Sequence, residues 1–398
     1  MIRHLFTLMW NRKRANGLLL LEIVLAFVVL FAVGSVAVYN WTNYRAPLGF
    51  TYEQVWEVDM SPGNQPRREQ FATLQRVLQR VRSMPGVVGV ARHSENTPFS
   101  FNDSSTEFQV KDGTDKLKVG AEFYHVGPEL RDVMSLRLVA GRWFDRRDEA
   151  AGRRKPVVIT ELMQASLFPK GRASAVGQTL VDNDQDAYEV VGIISSYRAQ
   201  GELAEPYPAV LAYVGPQDSA HAWTSPMVRV QPGSGAALEK RLGEEIRAVS
   251  GGWVSSVTSL PDQRLTQLKF RLTPPAIMAV ICVFLLVNVA LGLFGVLWLN
   301  INQRRGELGV RRAMGAPAGA ISWQVVGELL VLTTFGLLLG LLLAVQFPLL
   351  GVFDVAPGVY GLAMLLATGI LYVLAIGCAF YPSRLAAAIQ PAVALREE

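Results

Sequence analysis

At 398 residues, with 51% hydrophobic residues and a mean hydropathy of +0.26, the chain is too apolar for one ordinary soluble domain and long enough for several membrane helices plus an outer domain. Its net charge of +5 is carried almost wholly by residues that flank apolar runs, which gives no support to nucleic-acid binding.

The first 16 residues, MIRHLFTLMWNRKRAN, set Ile2, Leu5, Phe6 and Met9 at helical spacing ahead of a basic cluster. This predicts an amphipathic helix lying on the cytoplasmic membrane surface. The apolar run that follows, residues 17–39, is about 22 residues long and exceeds a signal-peptide core, so it reads as a retained first span.

Residues 40–273 change character, with shorter apolar runs and a period that alternates between two and 3.6. The pattern predicts a mixed α/β domain with strands at 52–60, 87–91, 108–110, 117–123, 157–160, 188–194 and 210–214. One helix shows Phe71, Leu74, Val77, Leu78 and Val81 on a single face and stops at Pro85 and Gly86; a second, over 236–249, shows Leu238, Leu242, Ile246 and Val249.

Three further apolar runs, 276–299, 323–346 and 359–381, are each long enough to cross a ~30 Å hydrocarbon core as helices. Of the 38 Lys and Arg, 28 lie between residues 40 and 273, together with 27 acids. The other ten flank spans on one side, while the loop 347–358 holds Asp354 and no basic residue. The positive-inside bias therefore places both termini, the segment 300–322 and the tail 382–398 in the cytoplasm, and the α/β domain outside. Gly336 and Gly340, Ala363 and Ala367, and Ala375 and Ala379 form small-residue faces that suit close helix contacts, within one subunit or between two. Glu22, Asn288 and Glu328 lie inside spans, where a polar group needs protein or headgroups as partner.

Catalytic patterns are missing from the sequence. His4, His93, His125 and His221 have no ligand spacing, Cys282 and Cys378 fall in spans, and the stretch 171–177 ends in Gln178 without the Lys-Ser/Thr of a phosphate-cradling loop. No site in the chain is predicted for a cofactor or a metal.

The cytoplasmic segment reads LNINQRRGELGVRRAMGAPAGAISWQVVG over residues 299–327. If helical, it pairs Glu307 with Arg311 at i,i+4 and leaves Leu308, Ala313 and Met314 as apolar side chains for a partner to cover. Its core, RGELGVRRAMGA at 305–316, resembles the R-x-E-I-G-x-R-x-A-x-G-A signature of FtsX/MacB-type ABC transporter permeases, with Leu308 in place of isoleucine. The resemblance extends to MPGV at 84–87, LVAGRWF at 138–144, LFP at 167–169, VG at 176–177, YEVVG at 188–192 and, in the tail, PSRLAA at 382–387 with PAVALR at 391–396. It implies a four-span permease subunit of a bacterial cytoplasmic (inner) membrane with a MacB-like periplasmic α/β domain between the first two spans.

In that family the segment is the element that docks on an ATPase, which implicates Arg305, Glu307, Leu308, Arg311, Ala313, Met314 and Gly315, with Glu328 tying the segment to the third span. The partners implied are a pair of separate ABC ATPase subunits holding ATP and Mg²⁺, a second permease copy or paralogue, and optionally a periplasmic adaptor. Function would be mechanotransmission, in which ATP hydrolysis moves the outer domain to export or extract a substrate. The alternative is an FtsX-like signalling permease that switches a cell-wall hydrolase or sensor without transport; a third reading is a membrane-anchored binding module with no ATPase. The topology makes a direct prediction: cysteines placed at Ser104 and Asp354 react with a membrane-impermeant reagent in intact cells, and one at Gln303 reacts only after the membrane is opened. Labelling of Gln303 in intact cells contradicts the four-span arrangement.

Overall fold

The computed structural model describes residues 13–111, 117–150, 154–168, 175–219 and 225–387. Of the surface helix expected over 1–16, all but the last four residues lie outside this set, and those four continue into the first long helix, α1 (Lys13–Tyr44). The tail motif at 391–396 also lies outside it. The chain divides into two compact units, residues up to 42 together with 272 onward, and residues 43–271.

The second unit opens with β1 (Val55–Ser61), α2 (Arg67–Arg82) and β2 (Val87–Ala91). An insertion follows with β3 (Ser105–Val110), β4 (Val119–Val126), β5 (Leu138–Gly141), β6 (Arg154–Thr160), β7 (Thr179–Asp182), β8 (Ala187–Ile194) and β9 (Ala209–Tyr213). The unit then closes with β10 (Met227–Val230), α3 (Ala236–Ser250) and β11 (Val254–Ser259). The outermost pieces form an antiparallel sheet in the order β11-β1-β10-β2, which is the ferredoxin-like arrangement of two split βαβ halves. Helix α2 buries Leu74, Val77, Leu78 and Val81 and α3 buries Leu238, Leu242 and Ile246 in one core with Trp56, Val58, Met60, Val228 and Val230 of the sheet. Each such large side chain contributes roughly 1.5–3 kcal/mol by leaving water.

The insertion forms a seven-stranded sheet in the order β5-β8-β6-β9-β4-β3-β7, with parallel pairs β4–β9 and β6–β8. Because β7 also bonds β8, six of the strands close into a ring and β5 prolongs one edge of β8. Closure removes the open edges that would otherwise template pairing with another chain. Strand β4 runs three residues beyond the expected 117–123, and β5, β7, β10 and β11 were not anticipated from the sequence. At the β5 terminus Arg142 forks onto the buried carboxylate of Asp148 at 2.7 Å from each nitrogen, a structural ion pair rather than a loose surface arginine.

The first unit takes in most of α1 and of α4 (Leu260–Gln303), with α5 (Arg305–Ala313), α6 (Ala318–Ala344) and α7 (Pro357–Ala387). Among the described residues, four helices are long and apolar enough to cross a membrane. Within the segment 300–322, residues 305–313 form α5, the helical case in which Glu307 and Arg311 pair at i,i+4. The small-residue faces mark contacts inside the chain: a Cβ on Gly336 would lie 2.6 Å from Ile23 Cγ2 and one on Gly340 2.5 Å from Phe27 Cδ1, so α1 packs directly on the backbone of α6. Ala363, Ala367, Ala375 and Ala379 are all buried on α7, and Ala363 meets Gly34 of α1.

His93, just past β2, is fully buried with Nδ1 donating to the Ser94 carbonyl at 2.7 Å and Nε2 accepting from the Tyr197 hydroxyl at 2.8 Å. Burial lowers its pKa to about 4, only partly offset by the bond to Ser94. The unfolded chain takes up a proton at this ring near pH 6.5 and the folded domain does not until about pH 4, so stability is full above 6.5 and is lost as pH falls through that window. The effect is at most roughly 3 kcal/mol. Melting curves between pH 7 and 4.5 therefore fall more steeply for the wild-type protein than for His93→Gln; parallel curves would contradict this assignment.

Candidate functional site

The apolar stretch of α4 ends at Ile301, and three residues later Arg304 begins a polar cluster. Helix α5 is nine residues long, too short to hold itself in water, so its position depends on what its ends and faces bind. Arg304 Nε and Nη2 donate to the two oxygens of Glu307 at 2.9 and 3.2 Å, while Nη1 donates to both oxygens of Glu328 on α6 at 3.0 and 3.1 Å. Arg311 Nη2 donates to Glu307 at 2.6 Å and its Nη1 to Gln324 Oε1 at 2.8 Å; Gln324 Nε2 donates in turn to Glu328 at 3.2 Å. The five side chains form a closed ring of hydrogen bonds that ties α5 to the first turns of α6. Bonds from Arg304 hold the Glu307 carboxyl below the usual carboxylate range, with the charges of Arg304 and Arg311 adding to them.

The C-terminal end of α5 is fixed separately. Gly315 adopts a φ of +90°, its N–H bonds the Arg312 carbonyl and the Ala316 N–H bonds the Arg311 carbonyl. This is a Schellman turn, and only glycine takes that conformation without strain. It reverses the chain and leaves Met314 at the tip, 77% exposed, beside exposed Ala313 and Val310.

Residues 18–247 match the MacB-like periplasmic core domain family, and residues 278–391 the FtsX-like permease C-terminal family. The chain belongs to the MacB/FtsX-type ABC transporter permease family. The permease is 30% identical over 240 residues to the macrolide export ATP-binding/permease protein MacB 1/2 of Paracoccus denitrificans, covering 58% of this chain and 35% of that one. It is 24% identical over 299 residues to the uncharacterized ABC transporter permease YvrN of Bacillus subtilis, covering 70% of each. The permease spans less than half the length of the MacB relatives. Against the crystal structure of the periplasmic region of MacB from Actinobacillus actinomycetemcomitans it has 16% identity and a TM-score of 0.38, covering 54% of this chain and 92% of that one.

Of the residues singled out in the segment, Glu307 and Arg311 meet in the ring, Arg305 is exposed at the start of α5, and Gly315 makes the turn. Leu308 corrects the expectation of a partner-facing side chain: it is buried in the permease's own helix core with Leu297, Ile301 and Val325. Val310 stands with Ala313 and Met314 instead, at i, i+3 and i+4 on the exposed face. Arg304 and Gln324 were not expected as site residues, although an arginine ending one apolar run and a glutamate opening the next offered a signal.

The intramembrane polar residues are not gathered into one site. Glu328 joins the ring. Glu22 is half-buried, with an oxygen 2.5 Å from where a Cβ of Gly292 on α4 would lie, so that glycine makes room for the carboxylate. Asn288 is exposed on α4 and donates to the Phe284 carbonyl one turn back at 2.8 Å. Among the described residues, no group of three or more His, Cys, Asp or Glu is placed to hold a metal ion.

Proposed function

We propose that this permease couples ATP hydrolysis by a separate ATPase pair, which holds ATP and Mg²⁺, to movement of the domain formed by residues 43–271, and so exports or extracts a substrate from the periplasmic side. The observation that carries the reading is the exposed face of Val310, Ala313 and Met314 on a helix that cannot rotate away, because the Arg304 ring anchors one side and the Gly315 turn the other. An apolar tip held rigidly among basic residues suits a groove on a protein partner better than free solvent. The MacB relatives are ATP-binding/permease proteins, which supports an ATPase as that partner. The permease acts as half of a transporter, with a second copy or a paralogue completing it.

Replacing Met314 by Asp tests the docking. If this tip is covered by the ATPase, the carboxylate loses water without a counter-charge, at roughly 2–5 kcal/mol. Association then weakens about 30-fold or more, since roughly 1.4 kcal/mol is tenfold. Co-purification of the ATPase with Met314→Asp should fail while membrane levels of the permease are unchanged; full retention of the ATPase and of its stimulated turnover would remove the tip from the contact.

A further inference from the structure

The stretch between β8 and β9, residues 195–208, contains a short piece, 198–204, that grips two helices at once. Arg198 is 5% exposed, and its guanidinium donates to four backbone carbonyls. Nη1 donates to Asn43 and Ala46 at 3.1 and 2.6 Å, and Nη2 to Glu202 and Ala204 at 2.9 and 2.6 Å. Asn43 lies in the last turn of α1, where helix carbonyls have no partner within the helix and favour a cation. Buried Asn43 answers by donating its amide to the Leu203 carbonyl at 3.4 Å.

The other side of the same piece holds the first three turns of α4. Glu202, 7% exposed, accepts from Arg264 Nε, and Gln200 Oε1 accepts from Arg271 Nη2 at 3.2 Å. Between them Gln267, 3% exposed, brings Oε1 to within 2.5 Å of where a Cβ of Gly201 would lie. Gly201 has a φ of +82°, so both the turn and the close approach require glycine. Arg264, Gln267 and Arg271 stand at i, i+3 and i+7, one face of the helix. One turn earlier Gln263 bonds Glu57 of β1, which also accepts from Thr97 at 2.8 Å.

We propose that residues 198–204 are a clasp, with Arg198 and Gln267 as positioning residues, that makes the end of α1 and the start of α4 move as one body with the domain between them. This inference rests on the coupling function proposed above. Helices α1 and α4 are the two that lead into and out of residues 43–271, and each enters the clasp through buried or charge-assisted hydrogen bonds, to which α4 adds the close packing of buried Gln267 on Gly201. Such bonds have one good geometry, so a displacement of either helix end is carried into the β8–β9 connection rather than absorbed by it. The paired sheet strands β8 and β9, each bonded to β6, then receive it.

The test uses the full-length permease with its ATPase in lipid nanodiscs. Hydrogen exchange of residues 187–213 is compared with ADP bound and with the ATPase trapped by ATP and vanadate, for wild type, Arg198→Met and Gln267→Leu, alongside ATPase co-purification, basal ATP turnover and melting temperature. The expected result is that the nucleotide-dependent exchange difference shrinks about tenfold in Arg198→Met, the effect on an equilibrium of losing such a bond, and shrinks also in Gln267→Leu, which loosens the packing on Gly201, while co-purification and basal turnover stay at the wild-type level. Gln267→Leu removes one enclosed amide and keeps the arginine's four bonds, so it serves where Arg198→Met does not fold. A wild-type difference that persists in a folded variant would overturn the clasp alone. A wild type with no nucleotide-dependent difference would overturn the coupling function, and the clasp with it.

Discussion

Arg304 directs its donors to two carboxylates that come from different helices, Glu307 on α5 and Glu328 on α6, and the disposition of the segment 300–322 depends on that fork. Its side chain is 19% exposed and that of Glu328 28%, so the pair is neither freely solvated nor sealed in the interior. In that intermediate setting a bidentate pair gains more than a surface salt bridge and avoids most of the desolvation cost of a buried one. Without it, a nine-residue helix anchored only by Leu308 and the Gly315 turn would be free to swing. Leu308, buried in the core of the spans, supplies the apolar half of the same anchorage.

A common logic links this ring to the outer domain. In both places an arginine sits at a helix end and uses a planar set of donors to bind groups from separate elements, carboxylates at Arg304 and carbonyls at Arg198. The helices between are joined by small residues instead. Gly336 and Gly340 let α1 lie against the α6 backbone, where no polar contact is needed. Rigid joints at the ends and close, featureless packing along the lengths suit helices that transmit displacement.

The spans were legible because roughly 20 successive apolar residues have few other readings, and the two helices of the outer domain because their apolar faces repeat at 3.6. Strands β5, β7 and β10 were not: each has four residues, too few to establish alternation, and β11 is two-thirds serine and threonine. β1 pairs with β10 across more than half of the outer domain's sequence, a partner no local pattern names. Leu308 was misread for a related reason. Periodicity shows which residues of a short helix share a face, and not whether that face meets the chain's own spans or another protein. Arg304 counted in the sequence only as one of ten charges setting topology, and Arg198 stands in a connection without periodicity.

The central claim is that the geometry of Arg304, beyond its charge, presents the Met314 tip to the ATPase. Arg304→Lys separates the two, because lysine keeps the positive-inside charge and hence membrane insertion, yet as a point charge it cannot fork onto Glu307 and reach Glu328 together. The decisive measurement is the affinity of the ATPase for the permease in nanodiscs, wild type against Arg304→Lys at equal membrane levels. Binding about tenfold weaker, roughly 1.4 kcal/mol, is the predicted result; wild-type affinity in the lysine variant would contradict the account.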